Sequence, residues 1–263
     1  MKLLFMVDIH LDMCDEEVRE KFFFDLAHAD CDAVLIGGDI ADGPHTVSFL
    51  RKLAKLCSKP IYFVLGNHDY YGRSIDLQRY KMKILCESHP SLIYLTLADP
   101  VALSQNCCFI GHDGWNDARE GDFFNSTVTM RDYSEIEDLK GLNLFELKEK
   151  LQELGKEAAA SLEVKLEQIA DRYEKVIIMT HTVPFRQACF YDGKVADDGW
   201  APHFVCQAVG KMVKRFAKKH PQIHFLLLAG HSHAAAKIAI LPNLDIQVSP
   251  AEYGSPAFEI LVM

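Results

Sequence analysis

Five short groups of carboxylate, imidazole and amide side chains punctuate this 263-residue chain. They are Asp8-Ile9-His10, Gly38-Asp39, Gly66-Asn67-His68-Asp69, the isolated His181, and Gly230-His231-Ser232-His233. Such donors suit divalent ions of hard to borderline character, namely manganese, iron, zinc, cobalt or nickel, whereas thiolates would favour softer ions. Glycines beside Asp39, Asn67 and His231 let the backbone turn sharply where side chains must converge. Two metals about 3.5–4 Å apart can share a hydroxide and clamp both the attacking and the leaving oxygen of a displacement. Each group alone has a plainer reading. Asp8 or Asp39 could be a cap or turn residue, Asn67 a left-handed turn after Gly66, and His181 a loop residue satisfied by backbone. Those readings must hold together at five ordered positions, so the metal site is preferred.

Every group follows an apolar run with strand character. Residues 2–7, 33–36 and 61–65 precede the first three groups, and helical periodicity fills 22–29 and 47–56 between them. Strand alternating with helix predicts crossover units and a largely parallel sheet. Residues 176–179 lead into His181, and 223–228 lead into the last group. In such sheets reacting groups collect at the carboxyl ends of strands, so residues distant in sequence can meet.

The middle of the chain differs. Runs at 93–97, 101–103 and 107–110, separated by Asp99-Pro100 and Gln105-Asn106, predict a meander. Residues 135–174 read as helix, with Leu144, Leu147, Leu151, Leu154, Ala158 and Leu162 on one face and Gly155 expected to bend or interrupt it. The tail offers 237–241, 246–248 and 258–262 for antiparallel pairing. Parallel halves with late hairpins imply two packed sheets with helices outside. With no repeat, low-complexity tract or linker, residues 1–263 are expected to form a single domain.

The ordered set D-x-H, G-D, G-N-H-D, H and G-H-x-H, from Asp8 to His233, resembles the calcineurin-like metallophosphoesterases. The resemblance implies an α/β fold, a four-layer α/β/β/α sandwich with two packed mixed sheets. It also implies that Asp8, His10 and His233 hold one metal, that Asn67, His181 and His231 hold a second, and that Asp39 bridges both. His68 is expected to contact the phosphoryl group or protonate the leaving oxygen rather than bind metal, with Asp69 orienting its ring. A metal-bridging hydroxide would then attack phosphorus in line, without a phosphoenzyme. The protein Ser/Thr phosphatases of this superfamily carry an arginine after G-D and another before the G-N-H motif. Neither stands in Gly38-Asp39-Ile40-Ala41-Asp42-Gly43 or ahead of Gly66, which argues against that branch; Val7 before Asp8 is a minor departure. The pairing of G-N-H-D with G-H-x-H is similar to cyclic-nucleotide phosphodiesterases. The expected activity is hydrolysis of a small phosphate ester, foremost a phosphodiester, with a phosphomonoester or nucleotide pyrophosphate as alternatives. A non-catalytic protein-binding scaffold is the alternative from another class, and it is disfavoured because all seven ligand positions are filled.

Residues around the motifs carry weaker signals. Tyr70, Tyr71 and Arg73, and the segment 185–203 with Arg186, Tyr191, Trp200 and His203, could line a substrate entrance or simply pack. His112-Asp113 reads as structural or as part of the rim, and Asn116 and Arg119 have less claim still. The basic run Lys211, Lys214, Arg215, Lys218 and Lys219 alternates with apolar residues and reads as a solvated helix face.

A net charge of -9 opposes binding to nucleic acid or an anionic membrane, so a small substrate is expected. The first apolar run is too short for a signal-peptide core, and no stretch nears the roughly 20 apolar residues that span a bilayer. The 8 cysteines are scattered without a C-x-x-C pair and read as buried reduced thiols, which makes the cytoplasm the expected compartment.

Overall fold

Strands that are apolar on both faces must be covered on both faces, and the arrangement of layers follows from that. The computed structural model describes residues 1–170 and 172–262. One sheet runs in the order β13 (Glu259–Val262), β1 (Lys2–Met6), β2 (Ala33–Ile36), β3 (Ile61–Phe63), β4 (Leu92–Tyr94). The other runs β11 (Ala236–Leu241), β12 (Leu244–Val248), β10 (His224–Ala229), β7 (Lys175–Met179), β6 (Cys107–Gly111), β5 (Val101–Ala102). β1–β2, β2–β3 and β3–β4 pair in parallel, as do β12–β10, β10–β7 and β7–β6, while β13, β11 and β5 add antiparallel edges.

Alternate residues separate the layers. Leu3 and Phe5 of β1, Ala33 and Leu35 of β2, Phe109 of β6, and Ile177 and Met179 of β7 fill the space between the sheets. Leu4, Met6, Val34 and Ile36 face the opposite way, against Phe22, Phe23 and Leu26 of α1 (Glu16–His28) and Leu50 and Leu53 of α2 (Gly43–Leu56). Met82 and Leu85 of α3 (Ile75–Ser88) join this outer layer. The outer face of the second sheet, with Val176, Ile178, Phe225 and Leu227, packs on two long helices. Among the described residues this is the α/β/β/α sandwich, with mixed sheets, that the resemblance implied.

A short helix α4 (Asp132–Glu135) precedes α5 (Leu144–Ile169), which opens with a capping box formed by Asn143 and Glu146. After a small hairpin of β8 (Phe190–Tyr191) and β9 (Lys194–Val195) come α6 (Ala201–Phe204) and α7 (Gln207–Lys219). On α7 Val209, Met212, Val213 and Phe216 are buried and the basic residues point outward, as the sequence implied.

Three expectations are corrected. The runs at 93–97, 101–103 and 107–110 form no meander: β4 lies parallel beside β3, and the chain then crosses to the other sheet for the β5–β6 hairpin. The preceding α3 makes β4 the end of a crossover unit. The tail strands do not all pair together, because β11 joins β12 while β13 crosses to β1. Gly155 does not interrupt its helix, since α5 is continuous over 26 residues. Its role is close approach, because a Cβ there would lie 2.5 Å from the Cβ of Asp117. Asp117 cannot easily retreat, as its carboxylate accepts from the backbone N–H groups of Arg119, Gln207 and Ala208.

Gly155→Ala should therefore destabilise the protein by about 1–3 kcal/mol through overpacking, despite alanine's higher helix propensity. Urea unfolding monitored by circular dichroism measures this, and an unchanged or raised midpoint would contradict it.

Candidate metal centre

The five motif groups emerge from neighbouring strand ends: Asp8 and His10 after β1, Asp39 after β2, Asn67 and His68 after β3, His181 after β7, and His231 and His233 after β10. The backbone there is strained. Asp8, His10, Asp39, His231 and His233 all have positive φ, between 36° and 67°, a conformation that non-glycine residues avoid and that surrounding structure must enforce. The enforcement is visible in hydrogen bonds from Asp8 N to Gly38 O (3.0 Å), His10 N to Asp39 O (3.0 Å) and Gly230 N to His181 O (2.9 Å). Side chains on Gly66 and Gly230 would collide with the carboxylates of Asp39 and Asp8 respectively, which explains the glycine at each place.

Donor atoms of Asp8, His10, Asp39 and His233 lie within 4.8 Å of one another, and so do those of Asp39, His181 and His231. Asp39 belongs to both groups. Asn67 joins the second through its Oδ1, 3.0 Å from His181 Nε2. His10 Nε2 is 3.4 Å from His233 Nε2 and 3.7 Å from Asp39 Oδ2, and His181 Nε2 is 3.4 Å from Asp39 Oδ2. Ligands about 2.0–2.2 Å from a cation stand roughly 3–3.5 Å apart, so these spacings suit coordination. All seven residues that the sequence nominated as ligands are thus brought together.

Their electrostatics also fit a cation. Asp8 and Asp39 are each 2% exposed. Burial, aided by Asp39, raises the Asp8 carboxyl above its usual range. Burial opposes ionisation of Asp39 too, but His181, His68 and His10 outweigh it and hold that carboxyl well below the usual range. Burial lowers His10 and His231 to about 3, the neutral state that a ligand needs. For His181 burial acts downward, yet Asp39 and Asp8 overcome it and lift the imidazole to about 10. Two desolvated carboxylates here draw a positive charge wherever one is available, and a divalent cation supplies it.

The imidazoles are oriented by their second nitrogens. His181 Nδ1 bonds Gly37 O at 3.0 Å, and His231 Nε2 donates to His203 O at 3.1 Å, leaving the opposite nitrogen of each as the candidate metal donor. His68 has its main-chain N–H on Asp39 Oδ1 at 2.9 Å. The expectation that Asp69 orients the His68 ring is corrected, because Asp42 does so, with its Oδ1 2.9 Å from His68 Nδ1. Asp69 is fully buried, and its carboxylate accepts from the N–H groups of Ile40, Ala41 and Gly66 and from Thr46 Oγ1. It ties the loop after β2 to the loop after β3 and does not contact the ring.

A cleft of about 500 Å³ opens over the centre, lined by Asp39, Asn67, His68, His231 and His233 together with Met13, Tyr71, Met130, Arg131, Tyr191, Phe204 and Tyr253. Of the weaker candidates Tyr71 and Tyr191 reach it, Tyr191 stacking on Trp200 with ring centroids 3.7 Å apart. Tyr70 is buried and donates to Asp113 Oδ2 at 2.6 Å. Asp113 also accepts from Leu65 N and Thr96 Oγ1, so it is structural, while Arg119 pairs with Asp117 and Arg73 lines a groove elsewhere. Asn116 is buried against Pro202 O. Sequence reasoning missed Asp42, Arg131, Asp132 and Tyr253. Tyr253, whose ring lies 4.6 Å from that of His10, follows no motif and becomes adjacent only through the fold. For Asp42 a signal existed, a carboxylate three residues after Asp39.

No helix among the described residues is long and apolar enough to cross a membrane. Comparison with solved structures finds a phosphopantetheinyl hydrolase from Mycobacterium tuberculosis at 12% identity and a TM-score of 0.70, covering 96% of this chain and 90% of that one. A dimetal phosphatase from Danio rerio aligns at 12% identity and a TM-score of 0.58, covering 95% and 87%. A protein of Thermus thermophilus, TT1561, aligns at 17% identity and 0.57, covering 95% and 88%. At these identities the likeness is one of fold. A search of curated proteins finds no significant match. The family model for calcineurin-like phosphoesterases matches residues 1–235, and the chain belongs to that family, whose members are metal-dependent phosphoric ester hydrolases with a dinuclear centre.

Proposed function

We propose that the protein hydrolyses a small phosphodiester on a centre of two divalent cations. The observation that carries this reading is the pair of donor clusters sharing Asp39, with His68 beside them on the wall of the cleft. Asp8, His10 and His233 would hold one cation, Asn67, His181 and His231 the other, and Asp39 both. When bound, such a pair neutralises phosphate oxygens and lowers the pKa of water toward neutrality. Manganese, iron, zinc, cobalt or nickel are the proposed ions, supported by a donor set of carboxylate, imidazole and amide without thiolate.

The chain's own contribution is positioning and proton transfer. With Nδ1 engaged by Asp42, His68 keeps Nε2 for the leaving oxygen. Burial pulls the His68 imidazole down, but Asp39 and Asp42 outweigh it and raise it above its ordinary value, which favours the protonated form that an acid requires. Arg131 is the one permanent cation among the residues lining the cleft, and it already faces Asp42 at 3.7 Å. That supports a singly charged diester over a doubly charged monoester, with Met13, Tyr71, Tyr191, Phe204 and Tyr253 to receive its ester arms. The net charge of -9 supports a small substrate, and eight free cysteines, seven of them buried, support a reducing compartment such as the cytoplasm.

With manganese added, kcat/KM for bis(p-nitrophenyl) phosphate should exceed that for p-nitrophenyl phosphate; a monoester preference would replace the diester reading, and inactivity on both would point to a scaffold. Asp39→Ala and His181→Ala should lose bound metal and activity together, measured by elemental analysis and turnover. His68→Ala should keep both metals and lose about 10²–10⁴ in kcat.

Asp42→Asn should lower kcat by about 10–100-fold. It should also move the alkaline limb of the pH profile. The acid form of His68 is present below its raised pKa and lost as pH rises through it, so removing the Asp42 charge shifts that limb to lower pH. A limb that stays in place in the variant would remove Asp42 from this role.

A further inference from the structure

Asp132 is fully buried, forms no ion pair among the described residues, and has no partner for its Oδ2. A carboxylate held dry without a cation is destabilising in itself, so what its other oxygen does is informative. Asp132 Oδ1 accepts from Asn67 Nδ2 at 2.9 Å and from the Tyr71 hydroxyl at 2.8 Å. A carboxylate oxygen only accepts, so the amide nitrogen of Asn67 must face it. The amide is planar, and its Oδ1 is consequently turned the other way, toward His181 Nε2.

The adjacent residue acts on a different ligand. The Tyr133 hydroxyl lies 2.5 Å from His203 Nδ1, and His203 Nε2 is 3.0 Å from Ser126 Oγ, which fixes His203 from both sides. The carbonyl of His203 receives His231 Nε2–H and thereby sets the tautomer that leaves Nδ1 for coordination. α4 is itself anchored to the loop that follows the G-N-H-D motif, through Gly72 N to Glu135 O (2.8 Å) and Glu137 N to Arg73 O (3.0 Å), with Ile136 fully buried.

We infer that α4 is the positioning element of one cation site only, with Asp132 locking the Asn67 amide and Tyr133 holding His231 through His203. This rests on the two-cation reading above. Among the described residues no hydrogen bond joins Asp132 or Tyr133 to Asp8, His10 or His233, so the other site is set independently. Neither residue touches substrate. Their effect falls on the affinity and occupancy of the cation held by Asn67, His181 and His231.

Manganese binding to the metal-stripped full chain, measured by calorimetry, tests this without reference to turnover. The unsubstituted protein should take up two ions; if it does not, the two-cation reading itself fails. Given two ions, Asp132→Leu should bind the first unchanged and the second about 10–100-fold more weakly. Asp132→Asn, which keeps an acceptor oxygen for Asn67 and Tyr71, should restore most of the second affinity. Tyr133→Phe keeps the ring packing and should weaken the second ion alone, so it carries the test should leucine at 132 prevent folding. Two ions bound at unchanged affinity in Tyr133→Phe and in Asp132→Leu, or parallel weakening of both, would overturn the inference.

Discussion

Two carboxylates, Asp8 and Asp39, are buried almost completely at adjoining strand ends, and the rest of the site is arranged around keeping them there. Like charges in a dry pocket repel and lose hydration, and only concentrated positive charge makes the arrangement tenable. The imidazole of His181 is the protein's own partial answer. Lifting His181 to about 10 while holding His10 and His231 near 3 puts the available proton on the ring closest to both carboxylates. A divalent ion would resolve the same problem more completely, because the desolvation that makes the pocket unfavourable when bare favours a bound positive charge.

Holding donors from two sheets within coordination distance requires backbone conformations that local preference opposes. Five of the seven proposed ligands sit at positive φ, each at a cost of order 1–3 kcal/mol. The compensation comes from the layers beneath. Parallel strands buried on both faces leave their carboxyl ends fixed in relation to one another, and main-chain bonds between consecutive loops hold the turns. Asp69, Asp113 and Asp117 extend this fixing outward. Each is a fully buried carboxylate that accepts backbone N–H groups, Asp69 and Asp113 from loops at the site and Asp117 from the first turn of α7. They stabilise conformation and take no part in ligation.

Around the proposed ligands and His68 lies a further ring of groups that set orientation: Gly37 O on His181, His203 O on His231, Asp42 on His68 and Asp132 on Asn67. Two of the four are main-chain carbonyls, whose identity no sequence motif records. Asp42 and Asp132 are side chains, but one lies at the start of α2 and the other on α4, outside the motif that each serves. The orientation of these groups therefore depends on residues that look like ordinary surface or helix positions when read in order.

The sequence by itself nominated the residues that the strand ends bring together, and it determined the layer architecture. Each ligand directly follows an apolar run, and a run buried on both faces is recognisable without knowing its partners, as with Ala33–Ile36 before Asp39 and Lys175–Met179 before His181. Which strand pairs with which was less legible. The run around Leu92–Tyr94 looks the same whether it turns into a hairpin or closes a crossover, and Gly155 looks like a helix breaker until Asp117 is found against it. The tertiary structure alone decided that Asp42 and not Asp69 meets His68, that Tyr253 and Arg131 border the cleft, and that Asp132 reaches Asn67 across 65 positions of sequence. The physical reason is that strand and helix periodicity are local properties of the chain, whereas the orientation of a buried ring or amide is set by whichever donor or acceptor the packing brings opposite it.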